Sequence, residues 1–136
     1  MEKRIAYLTI VVVIALTSNT FAAAYSGSGT EESPYLIYDA NDLLALGADP
    51  NYYSAHFKLM ADIDLAGLTF TTAIIAPDTD NSSWGFQGTP FTGVFDGNDY
   101  KITNLTINTN GVADDYIGLF GMIDANSRII NLAYKM

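Results

Sequence analysis

Asp78, Asp80 and Asn81 crowd one polar loop, APDTDNSSWGFQGTP at positions 76–90, and Asp114 and Asp115 stand side by side further along the chain. Clustered carboxylate and amide oxygens are the donor set of a hard cation. Asp78, Asp80, Asp114 and Asp115 are therefore the candidate ligands for calcium, although the twelve-residue loop with a closing glutamate is absent. The same loop holds the only tryptophan, Trp84, followed by Phe86, and both are placed to stack on sugar rings. Tyr52 and Tyr53 offer further aromatic surface, with packing around a cap as the plainer reading. Asp62 and Asp64 sit two apart on an alternating run, which turns both to one face, where they would hold a cation or act as paired acid and base. The plainer reading is a solvated strand face that discourages edge-to-edge association.

Other chemistries are excluded by composition. The chain has no cysteine, so a thiol nucleophile and cysteine-based zinc or iron–sulfur sites are ruled out. His56 is the single histidine, which rules out a zinc site of several imidazoles and leaves a structural histidine at a strand start. Fifteen acidic side chains against six basic ones give a formal net charge of −9, a surface that repels nucleic acid and anionic lipid.

Positions 1–24, MEKRIAYLTIVVVIALTSNTFAAA, read as an export signal. Lys3 and Arg4 form the positive start, Ile5 to Leu16 the apolar core, and Ala22-Ala23-Ala24 the small-residue site, with cleavage expected after Ala24. The apolar run is shorter than the roughly 20 residues a spanning helix needs, so no membrane insertion is expected once the signal is cleaved. Loss of Glu2, Lys3 and Arg4 takes the formal charge to near −10. The expected location is outside the cell, at its surface, or in the periplasm. Without disulfides, stability must come from backbone ladders and apolar packing.

Positions 25–34, YSGSGTEESP, read as a flexible polar lead, and 35–136 as the folded region. Tyr35 to Tyr38 is a short β-prone run. In DANDLLALG, Asp39 is an N-cap, Asp42 lies in the first turn, and Gly47 is placed to stop a helix of about two turns whose apolar side is Leu43, Leu44 and Leu46. HFKLMADIDL alternates over its whole length and predicts one half-buried strand with Phe57, Leu59, Ala61, Ile63 and Leu65 inward. TFTTAII is a second β-prone run, and DGND at 96–99 is a turn.

Self-similarity runs through what remains. Gly93-Val94-Phe95 is echoed by Gly118-Leu119-Phe120, and ITNL at 102–105 is echoed by IINL at 129–132. The two intervals nearly agree, at roughly 25 residues, which lies in the range of stacked repeats. A fainter copy, DIDL at 62–65, lies further from ITNL, as if its coil carried a surface insertion around Asp78 to Trp84. Short strands, glycines and asparagines at such spacing suit coils laid one on the next. The fold class expected is all-β, a right-handed parallel β-helix of about three coils, with Asp39 to Leu46 as a helix capping its first coil. The two stronger echoes predict Phe95 stacked with Phe120, Leu105 with Leu132 and Asn104 with Asn131 in successive coils.

YIGLFGMIDANSRIINLAY, 116–134, resembles the GLUG motif of large bacterial surface and secreted proteins, through Gly118-Leu119-Phe120-Gly121 followed by Ile129 and Asn131-Leu132. FTGVFDGNDYKITNLTI resembles the coil that precedes it in such chains, and GTEESPYLIYDANDLLAL their leading segment. The resemblance implies the N-terminal portion of an adhesin-like protein, since proteins with this repeat include surface adhesins and immunoglobulin A peptidases whose catalytic parts lie outside it. What it implies for this chain is a non-catalytic module, structural or adhesive, or binding an extracellular glycan or protein; no cofactor is expected, with calcium at the acidic loops the one candidate. The alternative is the non-catalytic leading part of a secreted polysaccharide-active enzyme or peptidase.

Overall fold

The structure, a computed structural model, describes residues 25–133; the expected export signal at 1–24 lies outside them. The chain is built from short strands with little helix. Its elements are β1 (Tyr35–Ile37), α1 (Ala40–Ala48), a single 3-10 turn (Pro50–Tyr52), β2 (His56–Leu59), β3 (Ile63–Asp64), β4 (Val94–Asp96), β5 (Ile102–Thr103) and β6 (Arg128–Ile130). One sheet has the order β1-β2-β4-β6, a second pairs β3 with β5, and every pairing is parallel.

The parallel pairing extends beyond the strands. Phe57 lies beside Phe95 and Phe95 beside Ile129, while Ile63 lies beside Ile102. Isolated parallel bridges join Phe70 to Ile107, Ile75 to Phe120, Phe91 to Ile123 and Lys101 to Ala133. Residues 57–91 and 95–123, two successive passes of the chain, thus pair in parallel at five positions in the same order, and 129–133 pair in turn with 95–101. Each pass turns its apolar alternates inward. Ile37, Leu59, Leu65, Ile75, Phe91 and Phe95 are wholly inaccessible to solvent, whereas Ile129 at the open edge is only partly covered.

This register corrects the two stronger echoes. Phe95 neighbours Phe57 and Ile129, and Phe120 neighbours Ile75, so the two phenylalanines belong to one pass on different sides. Their rings do meet, edge to face at 5.5 Å, across the interior. Asn104 lies beside Asp64 and Asn131 beside Asp96, which puts them, and Leu105 and Leu132 after them, at different bends. Gly93-Val94-Phe95 and Gly118-Leu119-Phe120 each set a glycine two residues before a phenylalanine, and that local resemblance does not distinguish neighbours in the ladder from two places on one pass. The fainter copy is the true neighbour: Asp64 and Asn104 are 40 residues apart and hydrogen-bonded.

Two further expectations are adjusted. HFKLMADIDL keeps its inward alternation, with Phe57, Leu59, Ile63 and Leu65 buried, but bends between Leu59 and Ile63 and contributes to both sheets. The inward phase carries through the corner, so periodicity hides the bend. The helix runs past Gly47 to Ala48; Asp39 caps it by accepting from the N–H groups of Asn41 and Asp42, as expected. Gly47 is small because a Cβ there would lie 2.1 Å from the carbonyl oxygen of Ile74. Leu43 and Leu46 are fully buried in the core.

Residues 25–34, read from sequence as a flexible lead, lie against the first two strands. Ser26 accepts from the N–H of Leu36 and Gly29 from that of His56, at 3.0 and 2.9 Å. The Tyr25 hydroxyl donates to the Asp42 carbonyl at 2.9 Å, and its ring meets Phe57 edge-on at 5.6 Å.

Candidate functional site

The two long loops leave the fold at one rung. The 76–90 loop follows Ile75, the 108–117 loop precedes Phe120, and Ile75 and Phe120 are bridge partners. The loops consequently face each other across a cavity of about 560 Å³ lined by Asp78, Asn81, Trp84, Asp114, Asp115 and Tyr116, among others. Three of the four calcium candidates and one of the two aromatic candidates meet here. Trp84 is wholly exposed. Phe86 is not on the cavity wall, and its ring packs edge-on against Tyr116 at 5.2 Å.

The carboxylates of this cavity are already engaged in building the loops. Asp78 is buried, and its Oδ1 accepts from the N–H groups of Asp80 at 3.3 Å and Gln87 at 2.9 Å, which ties the two ends of the loop together. Asp114 accepts from the Tyr116 N–H and, more weakly, from the Thr72 hydroxyl. Asp80 lies off the cavity and accepts from the hydroxyls of Ser82 and Ser83, which hold its carboxyl below the ordinary 3.8. Among the described residues, no group of three or more His, Cys, Asp or Glu is arranged to hold a metal ion.

The same device recurs along the chain. Asp39, Asp49, Asp64, Asp96 and Asp124 each accept the N–H two residues on, closing a turn with a side chain in place of a backbone carbonyl. Asp64 and Asp96 do more, since each also accepts from an asparagine of the next pass, Asn104 at 2.7 Å and Asn131 at 3.0 Å. Both asparagines hold left-handed backbone, with φ of 58° and 50°, a conformation asparagine tolerates better than most residues. Asp62 pairs with Lys101 across the passes. The Lys101 ammonium holds the Asp62 carboxyl below its ordinary value, and the Asn104 amide does the same for Asp64. The suggested acid–base pair is thus two carboxylates with separate structural partners.

A second concavity, of about 470 Å³, has no counterpart in the sequence reading. It lies on the outer face of the four-stranded sheet and is lined by His56, Lys58 and Arg128 together with Glu31, Glu32 and Asp96. Leu36, Met60, Val94 and Ile130 supply its apolar surface. The register explains the gathering: His56, Val94 and Arg128 form one row across β2, β4 and β6, and Leu36, Lys58, Asp96 and Ile130 form the next row of the same phase. Sequence reasoning missed it because these residues come from four strands far apart in the chain. The available signal was the outward phase of His56 and Lys58, which says nothing of Arg128 until the strands are paired.

No protein-family model matches the chain, and no solved structure matches it. Among curated proteins it is similar to Halomucin of Haloquadratum walsbyi, 40% identical over 118 residues, which cover 83% of this chain and 1% of that protein. It is also similar to a protein of Evansella cellulosilytica named as a Gly-rich membrane protein, 37% identical over 139 aligned residues, which cover 94% of this chain and 14% of that one. The chain thus spans a small part of the length of these relatives. Among the described residues, no helix is long and apolar enough to cross a membrane.

Proposed function

We propose that this chain is a non-catalytic, exported module of a surface or secreted protein, a right-handed parallel β-helix of about three coils that serves adhesion by binding an extracellular glycan or protein. The observation that carries the reading is the sequence of parallel partners, Phe57 with Phe95, Ile63 with Ile102, Phe70 with Ile107, Ile75 with Phe120 and Phe91 with Ile123, the order expected of a chain that winds over itself. Right-handed winding follows from the strong preference of parallel crossovers for that hand. Helix α1 caps the first coil, burying Leu43 and Leu46 where the apolar interior would otherwise open to water. Use of the loop aspartates as turn acceptors supports the non-catalytic reading. The GLUG resemblance and the relative named as a membrane protein support a surface location.

Export is tested by expressing the whole chain in a secreting bacterial host and sequencing the N-terminus of the mature protein. A chain beginning at Tyr25 outside the cytoplasm is the expected result; a chain retained in the cytoplasm with residues 1–24 attached overturns the reading. A second reading, the leading part of a secreted polysaccharide-active enzyme, draws on the titratable groups in the groove of the four-stranded sheet. Under the module reading, polysaccharides incubated with the purified protein keep their chain length.

A further inference from the structure

We propose that the groove on the outer face of the four-stranded sheet binds an acidic sugar chain, with Arg128, Lys58 and His56 holding its carboxylates and Glu31 and Glu32 accepting from its hydroxyls. The proposal gives the binding module its ligand class and rests on that reading for its biological setting alone.

The distribution of positive charge carries the argument. Among the described residues the basic side chains are Lys58, Lys101 and Arg128, in a chain with fifteen acidic ones. Lys101 is paired with Asp62, the one ion pair among those residues. Among the described residues Lys58 and Arg128 make no ion pair, and they share one concavity with the only histidine of the chain. Neither cation is within ion-pair distance of a carboxylate among the described residues, although Glu31, Glu32 and Asp96 line the same concavity.

Geometry supplies the ligand's shape. Val94 separates His56 from Arg128 in their row, so with neighbouring strands roughly 4.8 Å apart the two lie roughly 10 Å from each other, and Lys58 is two residues along β2 on the same face. An extended chain laid across the strands meets these groups in turn, and the planar fork of Arg128 suits a carboxylate bidentately. Leu36, Val94 and Ile130 offer apolar surface to the C–H faces of sugar rings. The interleaved Glu31, Glu32 and Asp96 select against a densely charged polyanion, such as nucleic acid or an acidic peptide, and favour a chain with few carboxylates and many hydroxyl donors.

Isothermal titration calorimetry of the purified protein with galacturonate oligomers tests the proposal, alongside fully methyl-esterified oligomers, neutral oligosaccharides of equal length and poly-glutamate. The expected result is saturable binding of the galacturonate oligomers alone. Arg128→Ala should weaken it at least tenfold, Arg128→Lys less, and Lys58→Ala also, each with an unshifted melting curve that shows the fold is kept. Absence of binding, equal binding of the esterified or neutral chains, tighter binding of poly-glutamate, or full affinity in both alanine variants overturns the proposal. Any of those results with export intact leaves the module reading standing, so the two fail separately.

Discussion

Tyr53→Phe removes one oxygen and tests how the N-terminal helix is tied to the rest of the fold. Tyr53 is 2% exposed, and its hydroxyl donates to the Gly47 carbonyl at 2.8 Å while accepting from the Ala76 N–H at 2.9 Å. Ala76 is wholly buried and holds a left-handed backbone with φ of 51°, so its N–H has no route to water once the oxygen is gone. Stranding a buried donor costs about 1–3 kcal/mol, whereas the half-buried Gly47 carbonyl recovers part of its loss from solvent. A total of about 2–3 kcal/mol follows, against the 5–15 kcal/mol typical of a whole domain. Thermal melting should fall by about 8–15 °C for a unit of this size, and urea unfolding should shift its midpoint with an unchanged slope. An alkaline arm sharpens the test. Burial raises the Tyr53 hydroxyl above its ordinary 10.0, with nearby Asp49 adding to the rise, and burial followed by Asp42 does the same for Tyr25. A raised folded-state value means that the folded protein holds these protons more tightly, so their contribution is complete below pH 10 and declines as the pH rises beyond it. The wild-type protein should therefore lose stability above pH 10, and Tyr53→Phe should lose it less steeply. A melting change under about 2 °C, or an alkaline decline as steep as the wild type's, would refute the tie.

Asn104→Ala should cost about 1–2 kcal/mol in urea titration through the left-handed backbone alone, and Asn104→Gly less, because glycine keeps the conformation while losing the bond to Asp64; equal losses would show that the conformation is not what selects asparagine. Gly93→Ala places a Cβ 2.0 Å from the Ala55 carbonyl oxygen on the neighbouring pass, so insoluble protein or a melting temperature lower by well over 10 °C is expected, and a soluble variant melting like the wild type would mean that the two passes are not that close. The lowered carboxyls of Asp62, Asp64 and Asp80 contribute stability that is present above the ordinary 3.8 and lost as the pH falls through their folded-state values, so melting between pH 6 and pH 2 should decline below about pH 4. Asp64→Asn should flatten that decline, and a profile unchanged by the substitution would remove Asp64 from the account.

Local choices are written into the chain itself. Asp39 ahead of Asp42 and the leucines marks a helix start because its carboxylate can accept the first free N–H groups, and the alternation from Phe57 to Leu65 fixes which side chains turn inward, since a strand has period two whatever it pairs with. The surface insertion after Ile75 was legible too, as a polar stretch separating copies of a pattern. Register was settled only in three dimensions. GVF and GLF look alike because both obey the rule for a corner followed by an inward residue, and only the backbone ladder shows that Phe95 pairs with Ile129 while Phe120 pairs with Ile75. Register also set both concavities: Asp78 meets Asp114 because the two long loops leave at partnered residues, and Arg128 joins His56 and Lys58 because β4 lies between β2 and β6. The parallel partners lie at separations as different as Tyr35 with Phe57, Phe91 with Ile123 and Ile75 with Phe120, and contacts at such uneven range leave no periodic trace in the sequence.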